Sequence, residues 1–197
     1  SVKFHTDNLE QEVKTRTAEL ELANTHLAEL SNTDGLTGVA NRRYFDQILE
    51  REFARARRLQ QPIALIMLDV DQFKQYNDHY GHLDGDRCLI QVARVLQRAA
   101  QRPGDLVARY GGEEFVIIAA HCDAEGAFAL ADILRLKVEE LRLPHAASSA
   151  GVVTVSAGVA SLVPDVGDLA TQLIQMADAA LYRAKEAGRN RVEMGAS

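Results

Sequence analysis

Apolar and small residues along the start of the chain recur in alternating steps of four and three: Val2, Leu9, Val13, Leu20, Ala23, Leu27 and Leu30, with Thr6 and Arg16 at the remaining positions. This is the heptad seam of a coiled coil. Between the seam positions lie Glu10, Glu12, Lys14, Glu19, Glu21 and Glu29, a charged outer face. Two readings follow: a helix that pairs with a second copy, or a single amphipathic helix packed on its own domain. A strip this narrow favours pairing, and Thr6 and Arg16 make the pairing weak enough to adjust. Ser31-Asn32-Thr33-Asp34-Gly35 then breaks the pattern with turn and cap residues. The expected division is 1–31, a signalling helix, and 32–197, a separate domain.

Beyond that break, helix and strand patterns alternate. Asn41 is placed to cap a helix that carries Phe45, Ile48, Leu49, Phe53 and Ala56 on one face. After Pro62, the unbroken run Ile63–Leu68 reads as a central strand buried on both faces. A second helix repeats Leu89, Val92, Ala93 and Leu96. Leu106–Tyr110 and Phe115–Ala119 read as two strands joined at a tip, Gly111-Gly112-Glu113-Glu114. A third helix shows Phe128, Ala131, Leu134, Val138 and Leu141, followed by a strand over Val152–Ala160. A last helix carries Leu173, Met176, Ala177, Ala180, Leu181 and Ala184 before Arg191–Met194 closes the pattern. From residue 42 the order is helix, strand, helix, hairpin, helix, strand, helix, strand. The fold class is α/β (α+β): a mixed central sheet flanked by helices and preceded by a long N-terminal helix.

Composition narrows the chemistry. Of 197 residues, 47% are hydrophobic and 25% charged, the balance of a globular protein rather than a disordered one. A net charge of −6 argues against a nucleic-acid coat or a polybasic membrane binder, while leaving room for a local basic pocket. No apolar run approaches the roughly 18 residues of a membrane helix. Ser1-Val2-Lys3-Phe4-His5 is unlike a signal peptide, and a chain beginning at Ser is expected to be part of a longer protein. Two cysteines, Cys88 and Cys122, lack metal-ligand spacing and make no disulfide framework, which suits a reducing cytoplasm.

Asp69-Val70-Asp71 follows the apolar run directly. A carboxylate at the mouth of a buried strand is costly unless neutralised, and a divalent cation neutralises it well. Two aspartates that merely cap or form salt bridges are the alternative. Glu113 at the hairpin tip converges on Asp69 if the hairpin strands flank the central strand. Two carboxylates with positions left for water and phosphate oxygens describe a magnesium site for phosphoryl transfer. Glycines in Gly81-His82-Leu83-Asp84-Gly85-Asp86 open a helix and allow a ligand close approach. Asn77 and Asp86 offer the donors and acceptors that suit a guanine edge, and Lys74, Lys185 and Arg189 are phosphate-type cations.

Five segments occur in order: Asp34-Gly-Leu-Thr-Gly-Val-Ala-Asn-Arg-Arg43, Asp69-Val-Asp-Gln-Phe-Lys-Gln-Tyr-Asn-Asp78, Gly81-His-Leu-Asp-Gly-Asp86, Arg109-Tyr-Gly-Gly-Glu-Glu-Phe115 and Ala177-Asp-Ala-Ala-Leu-Tyr-Arg-Ala-Lys-Glu-Ala-Gly-Arg-Asn190. Over about 32–194 the chain resembles the GGDEF domain of diguanylate cyclases, in the Gly-Gly-Glu-Glu-Phe form. The resemblance implies a palm-like nucleotide-cyclase fold and the condensation of two GTP into cyclic di-GMP and two pyrophosphates. It implies that Asp69, Glu113 and the carbonyl of Val70 hold Mg2+, with Mn2+ as a substitute. Asn77 and Asp86 would read guanine, while Lys74, Lys185 and Arg189 hold the triphosphate. Glu113 or Glu114 would help deprotonate the attacking 3′-hydroxyl, Glu113 being favoured. Each domain would bind one GTP, so two copies must meet as a homodimer, governed by an upstream sensor domain in the full-length protein.

Arg102-Pro103-Gly104-Asp105 precedes Arg109 at the spacing of the family's inhibitory product site, so the resemblance implies that Arg102 and Asp105 bind cyclic di-GMP. An exposed turn is the plainer alternative. Some relatives add an arginine from the following helix; Ile133 stands there in this chain, with Arg135 two residues on. A catalytically silent module that binds GTP or cyclic di-GMP is the second functional reading, but every active-site position that the motifs name is filled.

Overall fold

A computed structural model describes residues 2–195, with the side chains of 2–7 and 28–30 left undescribed. It divides into two units, 1–32 and 33–197. The first holds α1, Val2–Leu30. Every described side chain of α1, residues 8–27, is exposed, and among them Leu9, Val13, Leu20 and Leu27 stand as an apolar stripe open to solvent. That is the surface a coiled coil needs. The predicted seam positions Val2, Thr6 and Leu30, and Glu29 beside them, lie outside the described side chains.

The second unit is a five-stranded sheet in the order β2-β3-β1-β4-β5, where β1 is Ile63–Val70, β2 Leu106–Gly111, β3 Glu114–Ala120, β4 Val155–Leu162 and β5 Val192–Met194. The first four pair antiparallel and β5 lies parallel to β4, so the sheet is mixed. All eight residues of β1 are buried. Ala64, Ile66, Leu68 and Val70 enter one core with α4 (His82–Ala99) and α5 (Ala124–Glu139). Ile63, Leu65 and Met67 enter the other with α2 (Arg42–Leu59) and α6 (Ala170–Glu186). The unbroken apolar run thus becomes a central strand covered on both faces along its whole length.

Local chemistry sets the ends of these elements. Asn41 Oδ1 accepts from the Tyr44 N–H at 2.9 Å and caps α2. Gln60 ends α2 in the left-handed region at φ 49°, two residues before Pro62. Gly158 is required by packing: a Cβ there would stand 2.1 Å from Ala177 O and 2.2 Å from Leu181 N, so α6 lies directly on the backbone of β4. Among the described residues no helix is long and apolar enough to cross a membrane.

Four expectations need correction. An unpredicted eight-residue helix, α3 (Phe73–Tyr80), lies between β1 and α4, and Gly81 at φ 86° separates the two helices. Of the two hairpin strands only β3 flanks β1, with β2 outside it, and the hairpin tip is the two-residue Gly112-Glu113, because Gly111 pairs with Glu114. Phe128 is exposed, since Ala127 and Leu130 occupy the buried face of α5. The ladder of β4 starts at Val155; Val152 makes only an isolated bridge to Pro144.

Candidate active site

Asp69 is the last residue of β1 on the α2/α6 face, and its carboxylate, 7% exposed, closes the apolar series of Ile63, Leu65 and Met67. In the ladder it stands opposite Glu114 of β3. Lys185, near the end of α6, puts its Nζ 2.9 Å from Asp69 Oδ2. Burial pushes the Asp69 carboxyl up to about 6; Lys185 opposes the shift, and Glu113 and Glu114 add to it. Glu114 is also raised, first by burial and then by Asp178 and Glu113, against the pull of Lys185 and Arg42. Beside Asp69, one lysine therefore faces three carboxylates, and that corner is short of positive charge.

The hairpin tip is anchored on both sides. The Val70 N–H donates to Glu113 O at 3.2 Å, which ties the tip to the end of β1. Arg109 Nε donates to Gly112 O at 2.8 Å while its Nη1 lies 3.3 Å from Asp34 Oδ1. Asp34 also accepts from the Thr37 N–H and hydroxyl at 2.9 and 2.7 Å. Burial alone would raise Asp34, but these bonds and Arg109 outweigh it and hold the carboxyl below its usual value. Arg109 and Asp34 both lie in the motif segments, yet no pattern in the sequence indicated that one reaches the other.

A cleft of about 150 Å³ opens here, lined by Asp69, Val70, Lys74, Glu113, Lys185 and Arg189 together with Asp71, Gln72, Phe73 and Gln75. Six residues singled out from the sequence thus share one cavity. Glu114, Asn77 and Asp86 are not on its lining. Asn77, on α3, has a buried Oδ1 with no partner, and a Cβ on Gly85 would stand 1.8 Å from that oxygen. Gly85 therefore leaves room for the Asn77 amide, whose unmet acceptor awaits a donor. Asp86 is exposed one residue further along α4. Buried His145 donates from Nε2 to the Gln72 carbonyl at 3.1 Å and so holds the start of α3; sequence reasoning missed it.

Two carboxylates and a strand-end carbonyl are hard oxygen donors, and a desolvated Asp69 short of positive charge fits a small divalent cation. Among the described residues no three His, Cys, Asp or Glu side chains form a ready-made cage. A cation here would complete its shell with ligand and water oxygens, as magnesium usually does.

Arg102 and Asp105 lie at the far end of β2, about 20 Å of strand from the hairpin tip. The Asp105 N–H donates to Arg102 O at 3.0 Å and the Arg102 N–H to Asp105 Oδ2 at 3.1 Å, across Gly104 at φ 91°. Asp105 Oδ1 is buried without a partner, and burial raises its carboxyl. Ile133 is half exposed on α5. Arg135 does not stand in for an arginine there: its guanidinium is engaged by Asp132 at 2.8 Å, Glu139 at 3.3 Å and Asn190 at 3.0 Å.

Comparison with known proteins bears on this geometry. The chain is 38% identical over 170 residues to the probable diguanylate cyclase DgcC of Escherichia coli, covering 86% of this chain and 45% of that protein. It is 38% identical over 196 residues to the diguanylate cyclase VdcA of Vibrio cholerae, covering 97% and 56%. The chain therefore spans about half the length of these curated relatives. The crystal structure of the coiled coil and GGDEF domain of DgcB from Caulobacter crescentus, in complex with c-di-GMP, superposes with a TM-score of 0.77 at 38% identity over 95% of this chain and 99% of that one. The family model for the diguanylate cyclase GGDEF domain matches residues 31–191, and on that match the chain belongs to the GGDEF-domain diguanylate cyclase family.

Proposed function

We propose that this domain condenses two GTP molecules into cyclic di-GMP and two pyrophosphates. The observation that carries the reading is the shared cleft of Asp69, Glu113, Lys185 and Arg189, in which a buried and a half-buried carboxylate meet phosphate-type cations. Asp69, Glu113 and the Val70 carbonyl would hold Mg2+, or Mn2+ in its place. That ion supplies charge neutralisation at the phosphates. Lys74, Lys185 and Arg189 bind and orient the triphosphate, and Asn77 and Asp86 take the guanine edge. Glu113, with Glu114 as the second candidate, takes the proton of the attacking 3′-hydroxyl. That oxygen forms a bond to the α-phosphorus of the other GTP as the bond to pyrophosphate breaks, and the same step in reverse roles closes the ring.

One cleft holds one GTP, so two copies must face each other; the open apolar stripe of α1 is the surface on which they pair. In the full-length protein that helix would carry the signal of an upstream sensor. The domain would work in the cytoplasm, where GTP is, without nucleic acid and without contacting membrane. Arg102 and Asp105 would bind the product as an allosteric inhibitor.

The test is incubation of purified protein with GTP and magnesium, followed by chromatography for cyclic di-GMP. Specific activity should rise with protein concentration until dimers saturate, and polar replacements of Leu20 and Leu27 should move that rise about tenfold higher. Activity per protein that stays flat on dilution through the dissociation constant of the dimer overturns the two-domain mechanism.

A further inference from the structure

The turn that follows α6 is left-handed at three successive residues, with φ 115° at Gly188, 63° at Arg189 and 44° at Asn190. Glycine adopts this region freely; arginine and asparagine do so only when their surroundings hold them. Arg189, the middle residue, lines the cleft.

Two side chains hold the turn from different sides. The Asn190 N–H donates to Asp71 Oδ2 at 3.0 Å. The Asn190 side-chain oxygen accepts from Arg135 Nη1 of α5 at 3.0 Å. Asp71 is itself fixed by β4 and the residue before it, since Thr154 Oγ1 donates to its Oδ2 at 2.8 Å and Ser156 Oγ to its Oδ1 at 2.6 Å. Its own N–H donates to Thr154 O at 2.9 Å. Asp71 is 2% exposed, and among the described residues it makes no salt bridge. Its carboxylate is satisfied by hydrogen-bond donors alone.

This arrangement differs from that of its neighbour two residues earlier. Both line the cleft, but Asp69 meets the Lys185 ammonium, whereas both oxygens of Asp71 are committed to hydrogen-bond donors within the fold. The two aspartates grip the end of α6 at Lys185 and the turn after it at Asn190, and Arg189 lies between those points in the chain. A buried, donor-satisfied carboxylate is a demanding way to fill a core position, and its geometric product here is a held backbone at the turn that carries Arg189.

We infer that Asp71 is a positioning residue for Arg189: it touches no nucleotide, but by holding the Asn190 amide it presets the guanidinium for the phosphate chain of a nucleoside triphosphate. The inference rests on the reading of the cleft as a GTP site. Arg135 is the second support of the same turn, less essential because it meets a side chain rather than the backbone.

The test has one arm that needs no ligand. Hydrogen–deuterium exchange of the ligand-free protein should show the Asn190 amide exchanging at least tenfold faster in Asp71→Asn than in wild type, with amides of β1 and β3 unchanged. Asparagine keeps the size but turns one acceptor into a donor facing other donors. In the second arm, steady-state kinetics with GTP and magnesium should show Asp71→Asn and Arg189→Ala each raising KM about tenfold. The double variant should be no worse than Arg189→Ala alone, because the two act as one unit. Arg135→Ala, a change outside the two cores, should shift both readouts the same way by about threefold, and it decides the matter if Asp71→Asn does not fold. Unchanged Asn190 exchange, or KM losses that multiply in the double variant, overturns the inference. A wild type that makes no cyclic di-GMP defeats the functional reading instead, and the exchange arm still reports on the hold.

Discussion

The two ends of the β2–β3 ribbon each adjoin an aspartate that burial has pushed upward, and their surroundings resolve that stress in opposite ways. At the hairpin tip, Asp69 has a lysine ammonium at 2.9 Å and two further carboxylates close by, so what the site lacks is more positive charge. At the far end, Asp105 accepts only the backbone N–H of Arg102, and its other oxygen is buried with no partner. What that site lacks is a hydrogen-bond donor. An unmet carboxylate is a request for a ligand, and its neighbours specify which. On the proposed function, a cation that brings phosphate oxygens with it would answer at one end; the N–H groups of a guanine edge, with Arg102 alongside for a phosphate, would answer at the other.

The comparison breaks first at the catalytic end if it is wrong. Asp69→Asn or Glu113→Gln should lower turnover at least a hundredfold in magnesium while thermal unfolding shows an intact fold; near-wild-type turnover in either would remove the site from Asp69. The next effect is on stability. A folded-state value of about 6 for Asp69 against an ordinary 3.8 means that the folded protein holds this proton more tightly than the unfolded chain. The corresponding stability is fully present below about 3.8 and is lost as pH rises through about 6, on the order of 2 kcal/mol in metal-free protein. Urea unfolding from pH 4 to pH 7 should show that decline in wild type and a flatter profile in Asp69→Asn, and magnesium should restore stability only to the former. A profile equally steep in the variant would assign the decline to other groups.

Smaller effects test the other end. Arg102→Ala should raise the cyclic di-GMP concentration for half-inhibition about tenfold, and inhibition should be non-competitive with GTP because the turn lies a strand's length from the cleft. Equal inhibition curves would leave Arg102–Asp105 as no more than a turn. Ile133→Arg should sharpen inhibition by about threefold, since Arg135 is held by Asp132, Glu139 and Asn190 and cannot serve. No change would mean that α5 does not reach the bound product.

The sequence revealed whatever repeats along one element. The heptads of α1, the buried face of α2 and the continuous run of β1 all announce themselves through spacing. It concealed α3, because eight residues with Lys74, Gln75, Asp78 and His79 exposed leave Phe73 and Tyr76 as the only buried signal. Phe128 misled because size suggests burial, whereas the core under α5 takes Ala127 instead. In the site, Asp69 and Glu113 were legible as carboxylates at the ends of apolar strands. The pairing of Lys185 with Asp69 and of Arg109 with Asp34 spans the chain and leaves no periodic trace. The hold of Asp71 on Asn190 uses a backbone N–H, which every residue but proline carries, so no side-chain pattern points to it. The hints were Thr154 and Ser156, two hydroxyls spaced two apart in an otherwise apolar segment.

Gly158 makes the contact between α6 and β4 a keyed joint rather than a cushioned one. With Ala177 O and Leu181 N occupying the space of the missing Cβ, no compressible side-chain layer lets the helix creep along the strand there. Lys185 rides on that helix and Arg189 follows directly after it, so their reach to the Asp69 end of the sheet is set when the domain folds and stays set. A domain with such a cleft is poorly suited to being throttled by deforming it. In the proposed two-copy reaction, what remains adjustable is how often, and at what angle, two finished halves come together.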